Sequence, residues 1–271
     1  MHNPLVLIGG LVLAVMILAA VFAPIVAPAD PLEQSSDLLE PPSRTHLFGT
    51  DELGRDVFSR VVYGTRISLT IGLVAVAIAT VVGSIVGLVA GFLGGMTDNI
   101  AMRLIEILMA FPGIILAILI MGTLGPSLIN VMIAVGISAI PWYARTVRAS
   151  TLVVREYDHI LATRAIGATT LRIMFRHALP NVVAPVIVLS TIGIAGAILA
   201  ISGLSFIGLG AQPPSPEWGS MLSQARVYLQ QAWWIGTFPG IAIMLAVMSI
   251  NVIGDALRDA LDPRMRGMVK E

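Results

Sequence analysis

Few residues in this chain are of a type and spacing that could do chemistry. The four histidines are His2, His46, His159 and His177; none falls inside an apolar run, and no HExxH occurs. Ser84, Ser138, Ser190 and Ser205 lie in or beside apolar runs, but no histidine sits at that depth to activate them. A chain without cysteine has neither a disulfide framework nor a thiolate metal site. Asp51, Glu52 and Asp56 in GTDELGRD offer oxygen atoms that a divalent cation would accept. Arg55 stands among them and opposes an ion, so internal pairing that shapes an outer surface is expected instead. No catalytic residue, metal or cofactor is therefore assigned to this chain.

Energy must also come from elsewhere. There is no Gly-rich loop ending in Lys-Ser/Thr, so the chain does not bind ATP by that route. A gradient-driven carrier would keep ionisable groups within the membrane. Glu106 is the one acid near the interior of a predicted span, and Arg103 lies one turn away. Asp98, Arg103 and Glu106 are read as a cytoplasmic cluster, and Arg258 as an anchoring partner of Asp255 or Asp262.

The elements that would hold such groups are transmembrane helices. Of 271 residues, 56% are hydrophobic and 12% charged, with a mean hydropathy of +0.90. Soluble domains are nearer a quarter charged. Apolar runs long enough to cross a bilayer recur at about 4–28, 67–95, 104–123, 127–147, 182–206 and 233–254. The chain is thus expected to be all-α and polytopic, with six transmembrane helices. A cleaved signal peptide is the alternative for the first run, but MHNP lacks a basic start and the apolar core is too long. Residues 56–66 are read as a short amphipathic helix at the interface. Gly83, Gly87 and Gly91 recur every fourth residue, which suits close helix packing in lipid. Trp218, Trp233 and Trp234 suit interfacial positions, with packing preferred to gating for Trp218. Asn130, Ser138, Asn181, Ser202 and Asn251 are explained equally by helix-to-helix hydrogen bonds and by solute contacts, so the solute path is not legible.

Most basic residues fall on one side of this arrangement: Arg103, Arg145, Arg148, Arg155, Arg164, Arg172, Arg176, Arg258, Arg264, Arg266 and Lys270. Arg44, Arg55, Arg60, Arg66 and Arg226 fall on the other. The positive-inside bias then makes both termini, and the segment 155–181, cytoplasmic.

That segment, REYDHILATRAIGATTLRIMFRHALPN, reads as two short helices. Val153, Tyr157, Ile160 and Leu161 form one stripe, which Arg164 continues. Gly167 ends the first helix, and Thr169 or Thr170 caps the second. Leu171, Met174, Phe175, Ala178 and Leu179 form an apolar face, with Thr169, Arg172 and Arg176 on another, and Pro180 stops or kinks the helix. A loop meant only to connect is shorter. Either its arginines anchor topology against anionic lipid, or the segment is a platform on which a cytoplasmic protein docks.

LATRAIGATTLRIMFRHALP also resembles the EAA loop of permease subunits of binding-protein-dependent ABC importers. Ala162, Gly167, Leu179 and Pro180 fall on the pattern's places; Leu161, Thr163 and His177 stand where Glu, Ala and often Ile are usual. GTDELGRDVFSRVVYGTRISL, LSFIGLGAQPPSPEWGSML and DALRDALDPRMR are similar to the C-type permease subunit of dipeptide, oligopeptide, nickel and glutathione importers. The resemblance implies a type I ABC importer transmembrane fold. It divides the chain into an N-terminal helix and outer segment (1–50), an outer amphipathic segment (51–66), a transmembrane domain (67–258) with its coupling loop at 151–180, and a cytoplasmic tail (259–271). It implies that Leu161, Ala162, Thr163, Arg164, Gly167, Arg172, Arg176, His177, Leu179 and Pro180 couple the chain to an ATPase. The implied partners are a second permease, two ATP-binding subunits carrying ATP and Mg, an extracytoplasmic solute-binding protein and membrane lipid, with no nucleic acid. The implied cargo is a peptide, or else nickel, glutathione or another small solute, crossing the cytoplasmic membrane of a bacterium or archaeon.

Overall fold

The computed structural model describes residues 4–261. His2, Asp262, Arg264, Arg266, Lys270 and most of the expected tail lie outside them. Within the described residues the structure is helical, without strands. The elements are α1 (Pro4–Val21), α2 (Ala23–Val26), α3 (Val57–Leu93), α4 (Gly95–Met109), α5 (Gly113–Leu124), α6 (Leu128–Val154), α7 (Asp158–Ala165), α8 (Thr170–Ile173), a π turn (Met174–Ala178), α9 (Leu179–Phe206), α10 (Trp218–Ala225) and α11 (Trp233–Leu261). Five helices are long and apolar enough to cross a membrane, or up to six if the bent pair α4–α5 counts as one span.

The centre of the bundle is α3 against α6, with α9 packed on both. Glycine spacing makes this seam. A β-carbon at Gly83 would run into Tyr143, at Gly87 into Ala144 and Val147, and at Gly91 into Arg148 and Thr151. Small residues let the two backbones meet where lipid supplies no hydrophobic drive. Helix α1 lies outside this core against α11 and α3, where Gly9 faces Val252 and Ser249.

Three expectations are corrected. Residues 56–66 are no separate surface helix. Asp56 caps α3 by accepting from the Ser59 backbone N–H at 2.8 Å, and the helix runs 37 residues without a break. At about 55 Å it outreaches a hydrocarbon core of about 30 Å, so its first turns project beyond the core and are buried by loops. The run at 104–123 is no straight span. Pro112 cannot continue the ladder of α4, and α4 and α5 meet at 87°. With 12 residues, α5 reaches only about 18 Å. Of the three tryptophans expected at the interface, Trp218 and Trp234 are buried in the protein and Trp233 is exposed.

Candidate functional site

The segment 155–181 forms a platform at one pole. Ile160, Ile173, Met174 and Ala178 are buried against Leu88 and Phe92 of α3, Val147 and Val154 of α6, and Val182 of α9. Their neighbours face outward: Leu161 is 44% exposed, Ile166 85%, Leu171 66% and Phe175 57%. The apolar face read from sequence is therefore split, with Met174 and Ala178 inward and Leu171 and Phe175 outward.

The arginines split in the same way. Arg155 donates from Nη1 to the Gly91 carbonyl at 3.1 Å, an attractive place for a cation because α3 ends there with free carbonyls. The Arg164 guanidinium lies 5.8 Å from the centre of the Phe92 ring. Arg164 thus continues the stripe because it seats the platform on α3. Arg172 and Arg176 are exposed, as are Ala162 and Pro180, while Thr163, His177 and Leu179 are half-buried.

The turn between the two halves depends on Gly167, whose φ is +88° with open space around an added β-carbon. Its N–H donates to the Arg164 carbonyl at 3.0 Å. The constraint at this glycine is conformational, since other residues avoid the left-handed region. Thr169 occupies the N-cap of α8 without a side-chain hydrogen bond, so the expected hydroxyl cap is absent. Thr163 instead donates to the His159 carbonyl at 2.6 Å.

Pro180 does not stop the helix. The chain is helical from Thr170 through Phe206, with the π turn immediately before the proline. A proline lacks the N–H that the preceding turn needs and its ring crowds that turn; widening relieves both. Asn181 donates from Nδ2 to the His177 carbonyl at 2.7 Å, satisfying a carbonyl near the disturbance. Leu171 and Phe175 are therefore joined to the transmembrane helix α9 by unbroken helix.

Beside the platform, Arg148 of α6 grips Asp98 of α4 with a two-pronged contact at 2.5 and 2.6 Å. Sequence reasoning grouped Asp98 with Arg103 and Glu106, and missed Arg148 because it lies 50 residues away. Glu106 is exposed and pairs with Arg103 at 3.3 Å.

Halfway along the bundle, a cavity of about 270 Å³ is lined by Gly113, Ser138, Trp142, Tyr143, Gly193 and Gly196, among others. Tyr143 donates to the Leu189 carbonyl at 3.3 Å, and Thr80 and Ser190 share a hydrogen bond at 2.9 Å. Most polar residues singled out in spans bond locally: Asn130 to the Leu124 and Gly125 carbonyls, and Ser138 to the Val135 carbonyl.

The opposite pole is a closed cap. Asp51 binds Arg55 at 2.7 Å and Arg60 at 3.5 Å, and Glu52 binds Arg55 at 3.1 Å. Asp56 faces His46 at 3.1 Å, and Arg60 donates to the Pro31 carbonyl at 3.0 Å. The acids of GTDELGRD are thus engaged internally. Trp234 and Trp218 donate to the Thr50 and Val61 carbonyls. Glu217, unnoticed in the sequence, is fully buried and accepts from the Gly219 and Ser220 backbone at 2.9 and 2.8 Å. Burial pushes its carboxyl above the usual range, opposed by those hydrogen bonds.

Comparison with known proteins gives this architecture its family. The family described as "Binding-protein-dependent transport system inner membrane component" matches residues 83–267, which include the whole platform. The chain belongs to that family. Residues 1–42 match the family described as the N-terminal TM domain of oligopeptide transport permease C. The permease is 47% identical to the "Di/tripeptide transport system permease protein DppC" of Pseudomonas aeruginosa (strain UCBPP-PA14), over 98% of this chain and 90% of that protein. It is 49% identical to the "Dipeptide transport system permease protein DppC" of Escherichia coli (strain K12), over 95% and 88%. Its fold is shared with a chain of the MetNI methionine ABC transporter in an inward-facing conformation, with a TM-score of 0.60 and 21% identity over 75% of this chain and 96% of that one. The protein is therefore a membrane-embedded, multi-pass permease subunit of an ABC importer.

Proposed function

We propose that this permease forms half of a pathway for di- or oligopeptides and converts ATP hydrolysis on partner chains into opening and closing of that pathway. The peptide cargo is supported by the two relatives described as di/tripeptide and dipeptide permease proteins, which match nearly the whole chain. The coupling role rests on the platform: Leu161, Ile166, Leu171 and Phe175 are held outward in water-accessible positions, and a continuous helix, Thr170–Phe206, carries Leu171 and Phe175 into the bundle. Exposed apolar side chains rimmed by Arg172 and Arg176 suit a protein groove. A push there would be transmitted through α8 and the π turn to α9.

The assembly is a second permease, two ATP-binding subunits holding ATP and Mg, and an extracytoplasmic binding protein. Leu161, Ala162, Thr163, Arg164, Gly167, Arg172, Arg176, His177, Leu179 and Pro180 belong to the coupling loop. Arg155 and Arg164 seat it on α3, while Arg172 and Arg176 are free for a partner. The platform pole is cytoplasmic, the closed cap faces outward, and the membrane is the cytoplasmic one. The test is labelled dipeptide uptake in cells lacking this chain, restored with wild type or Ile166→Asp. Wild type restores uptake that fails on ATP depletion and survives a protonophore. Uptake that survives ATP depletion and collapses with the protonophore would overturn the proposal.

A further inference from the structure

The permease carries a second concavity, away from the central cavity and the platform. A groove of about 510 Å³ runs between α1, α3, α9 and α11, lined by Leu13, Ile17, Leu69, Leu73, Ile194 and Ile250 among others. Its wall includes one charged residue, Arg66. Arg66 is exposed, and among the described residues its guanidinium has no carboxylate or carbonyl partner. The neighbouring hydroxyl does not compete for a ligand on the guanidinium, because Thr70 donates to the Arg66 backbone carbonyl at 2.7 Å.

Arg66 is also the last charge on α3 before the uncharged stretch 67–93. The groove therefore has a cation where the helix enters the apolar layer and an apolar trough running inward from it. This gradient matches an amphiphile with an anionic head and a hydrocarbon tail. The volume lies within the range of roughly 300–1,000 Å³ usual for small-molecule sites. It does not suit a partner helix, which is about 10–12 Å across with side chains and would leave the guanidinium facing apolar side chains. Helix α1, whose outward residues Leu11, Val15 and Leu18 are exposed, forms the rim and puts the groove at the lipid-facing edge of the bundle.

We propose that this groove is a phospholipid site: the phosphate sits on Arg66 and one acyl chain lies between α1 and α3 against Leu69, Leu73 and Ile194. The lipid comes from the leaflet on the cap side of the membrane and stiffens the seat of α1. This inference does not depend on the cargo or on the ATPase.

The assembled transporter, purified in mild detergent, is analysed by native mass spectrometry for bound phospholipid. Wild type retains phospholipid, and Arg66→Gln lowers retention by about tenfold, the loss expected for a charge-assisted contact. Leu73→Trp, at an exposed position, fills the trough and gives the same loss, while Arg226→Gln, on the exposed end of α10, leaves retention unchanged. Inorganic phosphate at millimolar concentration fails to displace the lipid, which separates a headgroup from a free anion. Equal retention by wild type and Arg66→Gln would overturn the proposal. So would a cysteine at Leu73 that crosslinks to another protein chain instead of reacting with a lipid-borne probe.

Discussion

At one end of the bundle Arg55 and Arg60 are 2% and 1% exposed and locked to acids and carbonyls; at the other, Ile166 and Leu171 are 85% and 66% exposed. The cap hides charge and the platform shows hydrocarbon, the reverse of what solvation alone would choose. A buried charge network whose members fix one another specifies a single geometry. Outward-facing isoleucine, leucine and phenylalanine have no such use within the chain, and their cost is offset only when something covers them. The cap thus has its partners within the chain, while the proposed function has the platform completed by another protein.

Substitutions at the two poles should therefore fail differently. Asp51→Ala strips both Arg55 and Arg60 of a buried partner, and breaking a buried pair from one side costs about 3–5 kcal/mol. The expected result is loss of folded permease from the membrane, read by thermal unfolding of the purified complex. If the variant accumulates and melts like wild type, the cap is not the rigid end.

The next largest stability effect is at Glu217. Its folded pKa is raised above the ordinary 4.5, so the native state holds the proton more tightly than the unfolded chain. Stability from this group is fully present below 4.5 and falls as pH rises towards the folded value. Glu217→Gln should lose about 1–2 kcal/mol through the cap of α10 and show a flatter pH dependence across that window. A wild-type melting temperature that rises through the window on account of this residue would contradict the assignment.

At the platform, Gly167→Ala forces a β-carbon into the left-handed region, at about 1–2 kcal/mol. The surrounding space is open, so the turn is strained and not crushed. Partial loss of uptake with near-normal membrane levels is expected, measured by transport per unit of permease. Smallest in stability is Ile166→Asp, within about 0.5 kcal/mol because the side chain is 85% exposed, although it should abolish coupled uptake. A matching drop in melting temperature would mean that Ile166 serves the fold instead.

Legibility in the sequence follows the same division. Apolar runs, the glycine repeat of α3 and the patterned segment 155–181 were readable because each is local. The platform's arginines were readable as a set, but their split was not: Arg155 meets Gly91 across 64 residues, and Arg164 meets Phe92. The Asp98–Arg148 contact, across 50 residues, was hidden for the same reason; the Glu217 cap is local, but the burial of its carboxylate depends on the folded cap. The bend at Pro112 was missed because hydropathy counts residues and ignores backbone continuity. Trp218 was placed among interfacial residues because composition cannot tell an indole N–H in water from one bonded to the Val61 carbonyl.

The central claim is that the exposed half of the platform is covered by an ATP-hydrolysing subunit. A photoreactive residue at Leu171 in the assembled transporter, with one at Arg226 as the control from the other pole, tests it directly. Leu171 should crosslink to the ATP-binding subunit with a yield that changes when ATP is bound, and Arg226 should give no such product. A complex that hydrolyses ATP and imports its solute, yet gives no crosslink from Leu171 to that subunit, would contradict it.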